Sequence, residues 1–342
     1  MAATYKDIQN LTGLSLSTIS KYFNGISVSP KNHAAIQTAA ESLDYRVNVF
    51  AQSLKSRRSR AIGILIPALY EAFNSSVMSK VGSCLREQGY GVLVSETCAG
   101  NDSLESEALE FLLDRQVDGL VIVAVGFSAS YLRGKLEQRI PMVIVDSLFD
   151  EIQHDAAILN NRKAGGMAAE LLLQNGHKNI GIISGPKWAY SMRERKWGFW
   201  RTLQQHGIQP DSGNYFYGDF TVESGQKAAL KLLSKKNRPT ALFALSDLLT
   251  LGMVSAVQQL GLSVPEEISL IGFDNMMISG VLGKPLTMLT QPIDELARQA
   301  SLLILDQIEN GIPDKKRISM IEPILHPGAT VHNLILSETG DL

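Results

Sequence analysis

The chain has 342 residues, 45% hydrophobic and 19% charged, which suits a folded protein of two or three domains and excludes a disordered one. The net charge of −2 points to no partner, but residues 1–60 carry eight Lys/Arg against three acids, a balance of +5 that leaves −7 for the rest. A basic head on an acidic body suits a phosphate-binding module joined to something that does not bind nucleic acid.

Residues 5–25, YKDIQNLTGLSLSTISKYFNG, read as two short helices around a tight turn. Ile8 and Leu11 give the first an apolar edge, and Gly13 supplies the positive φ of the corner. Ser15 is the expected N-cap of the second helix, with Ile19, Tyr22 and Phe23 facing inward. Leu16, Ser17, Thr18, Ser20 and Lys21 are left facing out, and a short helix with a hydroxyl-rich first turn and one cation fits the major groove of DNA. Residues 30–43 have the apolar spacing of a third helix that completes a small all-α head. Residues 50–60, FAQSLKSRRSR, follow as a basic segment with Leu54 as its central apolar side chain, too short and polar to form a stable helix alone.

From residue 61 the pattern changes. Short Val/Ile/Leu runs at 61–66, 91–95, 119–124, 141–146, 179–184, 240–246 and 268–274 alternate with amphipathic stretches at 75–88, 104–115, 163–175, 193–206, 222–233 and 248–261. Continuous apolar runs mark strands covered on both faces, so the body is expected to be α/β, as two doubly wound parallel-sheet lobes. The stretch 153–161 reads as irregular and divides the two series, and 287–308 adds a late strand and helix.

In parallel sheets, ligands bind beyond the carboxyl ends of the strands. Asp146, Ser246, Asp274 and Gln291 stand at such ends, Arg193 and Arg195 open a helix, and Trp188, Tyr190 and Phe220 lie in nearby loops. Carboxylates, arginine and a flat ring suit a polyhydroxylated ligand. The six histidines are scattered, Cys84 and Cys98 stand in no metal-ligand or redox spacing, and neither a P-loop, a nucleotide-binding glycine motif nor a nucleophile elbow is present. No cofactor and no metal are expected, and the cleft reads as a binding site rather than an active site. An α/β hydrolase is set aside for want of a nucleophile. With no signal-peptide core and no apolar run of ~20 residues, a cytoplasmic location without membrane attachment is expected, which also argues against a plain sugar-binding receptor.

These residues resemble the LacI/GalR family of bacterial transcriptional regulators over nearly the whole length. The head pattern at 5–25, YRVN followed by AQSLKSRRSRAIGILIP, and HKNIGIISG, RERKWGF, SDLLTLGMVSAVQQLGLSVPEEISLIGFDN and LTQP carry the resemblance. It implies a helix-turn-helix DNA-binding domain at 1–49 and a hinge at 50–60 that enters the minor groove with Leu54 as a wedge. The body would be periplasmic-binding-protein-like, with an N-terminal lobe at 61–160 and 291–321 and a C-terminal lobe at 161–290 and 322–342. By family position Leu16, Ser17 and Lys21 read bases, and Ser15, Thr18, Ser20 and Asn24 contact phosphates. Phe73, Asp146, Ser191, Arg195, Phe220, Ser246, Asp274 and Gln291 line the effector pocket. The sequence departs from the usual pattern at Lys21, Val47, Gln52 and the stretch Glu71-Ala72-Phe73-Asn74. The implied protein is a repressor acting on double-stranded operator DNA as a homodimer, under control of a carbohydrate effector, with a nucleobase or nucleoside effector as the alternative.

Overall fold

Residue Asp7 sets the start of the first helix: its carboxylate accepts from the Thr4 backbone N–H (2.7 Å) and hydroxyl (2.8 Å). The computed structural model describes residues 3–23, 25–45, 58–97, 102–124, 140–150, 152–274 and 276–335, and divides the chain into two units, 1–59 and 60–342. In the first, α1 (Tyr5–Thr12) ends at Gly13, whose φ of 67° turns the chain and whose N–H returns to the Gln9 carbonyl at 2.8 Å. α2 (Leu16–Phe23) begins after Ser15, whose hydroxyl accepts from the Thr18 N–H at 3.3 Å. α3 (Pro30–Ser42) has proline in its first turn and Ser29 as its cap. Ile8, Ile19, Ile36 and Ala39 are buried between the three helices, with Tyr5, Tyr22, Phe23 and Tyr45 closing the cluster.

The second unit opens with β1 (Ala61–Ile66), α4 (Ala72–Glu87), β2 (Gly91–Glu96), α5 (Asp102–Asp114), β3 (Gly119–Val123), β4 (Met142–Val145) and β5 (Asp155–Leu159). It continues through α6 (Asn161–Gln174), β6 (Ile180–Ser184), α7 (Tyr190–Gln205), β7 (Tyr215–Tyr217), α8 (Val222–Leu233), β8 (Ala241–Ala244), α9 (Asp247–Gln259) and β9 (Ser269–Phe273). The last elements are β10 (Thr287–Thr290), α10 (Ile293–Asn310), β11 (Ile318–Ile321) and β12 (Ile324–His326). One sheet has the order β11-β5-β4-β3-β1-β2, the other β12-β10-β9-β8-β6-β7, and within them β12 runs antiparallel to β10 while the other pairs are parallel. Both are α/β layers with helices on each face, as the continuous apolar runs require. The chain passes between the sheets three times, after β5, β10 and β11. α10 returns to pack on α4 and on β3, β4 and β5.

The stretch 153–161 corrects one expectation, since it holds a fully buried strand, β5, in place of an irregular connection. Its sequence DAAIL has weak strand propensity, and burial between β4 and β11 decides the conformation. The short β7 and β12 also lie in stretches without an apolar run.

One helix contact positions the site described next. A Cβ on Gly165 of α6 would lie 1.9 Å from the Arg195 carbonyl oxygen, and one on Gly198 of α7 would lie 1.9 Å from that of Arg162. The two helices therefore pack backbone to backbone, which only glycine permits.

Candidate functional site

Two strands on opposite sheets end alike. Asp146 follows β4 and Asp274 follows β9, each at the third place in its sheet order. Both are left-handed, at φ 57° and 65°, a conformation Asp tolerates better than most residues. Each sends its backbone N–H to the neighbouring strand, Asp146 to the Ala157 carbonyl (3.2 Å) and Asp274 to that of Leu289 (2.7 Å).

Arg195, on the second turn of α7, is buried between them at 2% exposure. Its Nε donates to Asn161 Oδ1 (2.8 Å) and its Nη1 to the Leu245 carbonyl (2.5 Å), and its guanidinium carbon lies 3.6 Å from the Phe273 ring centroid. These contacts fix the fork before any ligand arrives. Burial pushes the Asp146 carboxyl up to about 6, against the pull of Arg195 and a hydrogen bond with Ser191. Burial likewise pushes Asp274 up to about 7, opposed by Arg195 and aided by Asp247. Burial lowers the Arg195 pKa while Asp274, Asp146 and Asp247 hold it up. Gln291 Nε2 donates to Asp274 Oδ2 at 3.2 Å.

Four side-chain atoms around this cluster, Asp146 Oδ1, Asn161 Nδ2, Asp274 Oδ1 and Gln291 Oε1, are buried without a hydrogen-bond partner. Leaving a polar atom so costs roughly 1–3 kcal/mol, and four around one guanidinium mark the place of a polar ligand.

The structure thus brings Asp146, Ser191, Arg195, Asp274 and Gln291 together. Ser246 adjoins them through Leu245, but its hydroxyl caps α9 by accepting from the Leu249 N–H at 3.5 Å. Phe220 lies against Gly185, where a Cβ would meet the ring at 2.7 Å, and edge-on to Trp188. Phe73, in the first turn of α4, packs on the apolar core of the first sheet. Sequence reasoning missed Asn161 and Asp247, and it singled out Glu71 and Asn74 only as part of a stretch that departs from the family pattern. Glu71 Oε2 accepts from Asn74 Nδ2 at 2.7 Å, and burial together with the Asp247 charge raises its pKa. Glu71 and Asn74 lie five and eight residues beyond the end of β1, so the rule that located Asp146, directly after its strand, does not single them out.

In the first unit, Leu16, Ser17 and Lys21 are exposed, Ser20 is half-buried beside them, and these four line one concave face with Lys6. The Ser15 hydroxyl lies 2.8 Å from that of Ser17 and 2.9 Å from that of half-buried Thr18. Asn24 and Leu54 lie outside the described residues. Among the described residues no group of His, Cys, Asp and Glu is arranged to hold a metal, and no helix is long and apolar enough to cross a membrane.

Comparison with known proteins places these features. Residues 169–331 match the model of a periplasmic binding protein-like domain. The HTH-type transcriptional repressor PurR of Aliivibrio salmonicida (strain LFI1238) is 32% identical over 335 residues, which cover 97% of this chain and 100% of that protein. A transcriptional regulator CelR–cellobiose complex aligns at TM-score 0.73 and 27% identity, over 96% of this chain and 99% of that one. The lac repressor dimer bound to operator and the anti-inducer ONPF has the same fold, at TM-score 0.85 and 24% identity over 97% of this chain and 100% of that one.

Proposed function

We propose a function from one premise: the chain belongs to the LacI family of transcriptional regulators. It is a sequence-specific DNA-binding regulator whose operator affinity is set by a small molecule held in the two-lobed unit. The head lays α2 in the major groove, with Leu16, Ser17 and Lys21 toward base edges and Ser15, Thr18, Ser20 and Asn24 toward phosphates. Residues 50–60 form the hinge, with Leu54 inserted at the minor groove. The protein acts as a homodimeric repressor in the cytoplasm, because two-fold symmetry places two heads on a palindromic site. It has no catalytic role.

The effector we propose is a neutral carbohydrate. The observation that carries this is the set of unpartnered oxygens on Asp146, Asp274 and Gln291 around the fixed Arg195. Carboxylate and amide oxygens accept from hydroxyls, the guanidinium donates to them, and Phe220 offers a ring to C–H groups. Glu71, Asp146, Asp247 and Asp274 outnumber the one guanidinium, so a phosphorylated or carboxylated ligand is disfavoured. CelR, the relative solved with cellobiose, supports the same reading.

Thermal shift against neutral sugars, sugar phosphates and nucleosides tests it, followed by anisotropy on DNA upstream of the chain's own gene. A neutral sugar should raise the melting temperature and alter DNA affinity. A response confined to nucleosides or sugar phosphates would overturn the carbohydrate assignment while leaving the DNA-binding function to stand or fall on the anisotropy.

A further inference from the structure

Helix α7 has a second face, turned away from Arg195. At 100° per residue, Ser191 and Arg195 share one side of it, and Arg193, Lys196, Trp200 and Gln204 share the opposite side. There the structure shows a hollow of about 510 Å³, within the range of small-molecule sites.

Its charge is one-sided. Lys187, Arg193, Lys196 and Arg201 line it, and no carboxylate does, although residues 61–342 together carry −7. Lys187, Arg193 and Arg201 are exposed and make no ion pair among the described residues. The nearest acid on the helix, Glu194, is taken by Arg162. Four cations in one concavity, with no carboxylate lining it, repel each other, and an anion relieves them.

The walls are aromatic. Lys196 donates to the Tyr217 hydroxyl and stands 3.9 Å from the Trp200 ring centroid, which fixes its charge at one wall. Trp197 is 49% exposed and borders the hollow. Arg162 covers the Trp197 ring at 4.3 Å and lines the neighbouring hollow, while Trp197 lines both. The chain has three tryptophans; two line this hollow, and the third, Trp188, precedes the helix.

We propose that this hollow is a second ligand site, distinct from the interlobe cleft, that takes a nucleoside phosphate: a planar base against Trp197, and phosphates on Arg193, Arg201 and Lys187, the last held over the Tyr217 ring at 4.6 Å. Rings give the base a flat apolar face, and guanidinium forks match phosphate oxygens. The acid-rich cleft disfavours anions and this base-rich hollow attracts them, on two sides of one helix.

The test uses the full-length protein, titrated with ATP, GTP, CTP and UTP by tryptophan fluorescence and calorimetry, with adenosine and tripolyphosphate as controls. At least one nucleotide should quench emission saturably with one site per chain, and both controls should bind at least about tenfold more weakly. The variant Arg193→Glu/Arg201→Glu alters two exposed side chains, so it should keep its melting temperature and lose at least about tenfold in nucleotide affinity. Trp197→Leu is the second variant, expected to weaken nucleotide binding but not whatever weak tripolyphosphate binding exists. Tripolyphosphate binding as tightly as the nucleotides would reduce the hollow to a polyanion patch and overturn the proposal. So would nucleotide binding unchanged in both variants, or no heat and no quenching with any of the four nucleotides.

Discussion

Asp146 and Asp274 are counterparts: each ends the third strand of its sheet in a left-handed turn, and each is drawn to the single guanidinium of Arg195. Asp146 follows a strand of one sheet, whereas Arg195 and Asp274 belong to the half of the unit built on the other. The cleft is therefore held from both sides by charge that water would otherwise solvate. A ligand that supplies hydroxyls to these carboxylates binds the arrangement in which both sides reach it, and only that difference in affinity can shift the population.

The raised carboxyl values set a pH dependence. Burial lifts Asp146 to about 6 and Asp274 to about 7 from 3.8, so the folded chain holds these protons more tightly than the unfolded one. Their contribution to stability is fully present below about pH 4 and is lost as pH rises through the folded values. Asp146→Asn and Asp274→Asn should each flatten the fall in stability between about pH 4 and 7, measured by urea unfolding across that range. A ligand that donates to the ionised carboxylates should bind more tightly as pH rises through the same window and release protons. Calorimetry in two buffers of different ionisation enthalpy reads that release, and identical heats would contradict it.

Among the described residues, Arg195 is the cation that acts on both Asp146 and Asp274. Arg195→Ala leaves buried carboxylates without their partner, and by analogy with broken buried pairs the loss should be about 3 kcal/mol near neutrality. It should shrink at about pH 5, where both aspartates take up protons. Denaturation at the two pH values checks this, and an equal loss at both would show that the packing against Phe273, not the charge, is what matters.

The α/β class was legible because buried parallel strands must be apolar, and β3 (GLVIV) and β4 (MVIV) are so from end to end. β5 was not, because two alanines carry no strand signal and only its neighbours bury it. At the site, Asp146 and Asp274 were legible as polar residues directly after apolar runs, and Gln291 as the residue after the strand at 287–290. Asn161 was not: it opens α6, and its role comes from the backbone contact between α6 and α7 that brings Arg195 to it. Glu71 lies five residues beyond β1, far enough that only the folded loop returns it to the Asp247 charge.

The contact between α6 and α7 can be tested directly. Gly165→Ala or Gly198→Ala puts a methyl 1.9 Å from a carbonyl oxygen of the facing helix. Neither helix backbone can yield by that amount without separating the pair, and the cost should be about 1–3 kcal/mol or more. Arg195 moves with α7, so effector affinity should fall together with the melting temperature. A destabilised variant with unchanged affinity would show that Arg195 keeps its position by its own hydrogen bonds.

In the head, Lys21 is exposed near the end of α2 and shares a concave face with Leu16 and Ser17. If Lys21 reads a base, Lys21→Ala should cost about 1–3 kcal/mol on the operator and much less on random DNA. Equal losses on both, with a shallower salt dependence, would assign it to phosphate.

The last prediction concerns the dimer. After Asp274 the chain presents Met277 at 93% exposure, with Met276 and Val281 each at 43%, and α9 lies nearby in sequence. Apolar side chains clustered on a surface in this way mark an interface, and an isologous one would use the segment and α9 from both copies. Met277→Glu places like charges against each other across a two-fold axis while leaving the buried core of the lobe intact. Sedimentation at micromolar concentration should then show a shift from dimer to monomer, with an unchanged circular dichroism spectrum. Operator affinity should fall further than any head contact explains, because the second head loses the effective concentration that dimerisation gives it. A variant that stays dimeric would place the interface elsewhere on the body, and one that turns monomeric yet keeps its operator affinity would show that a single head suffices.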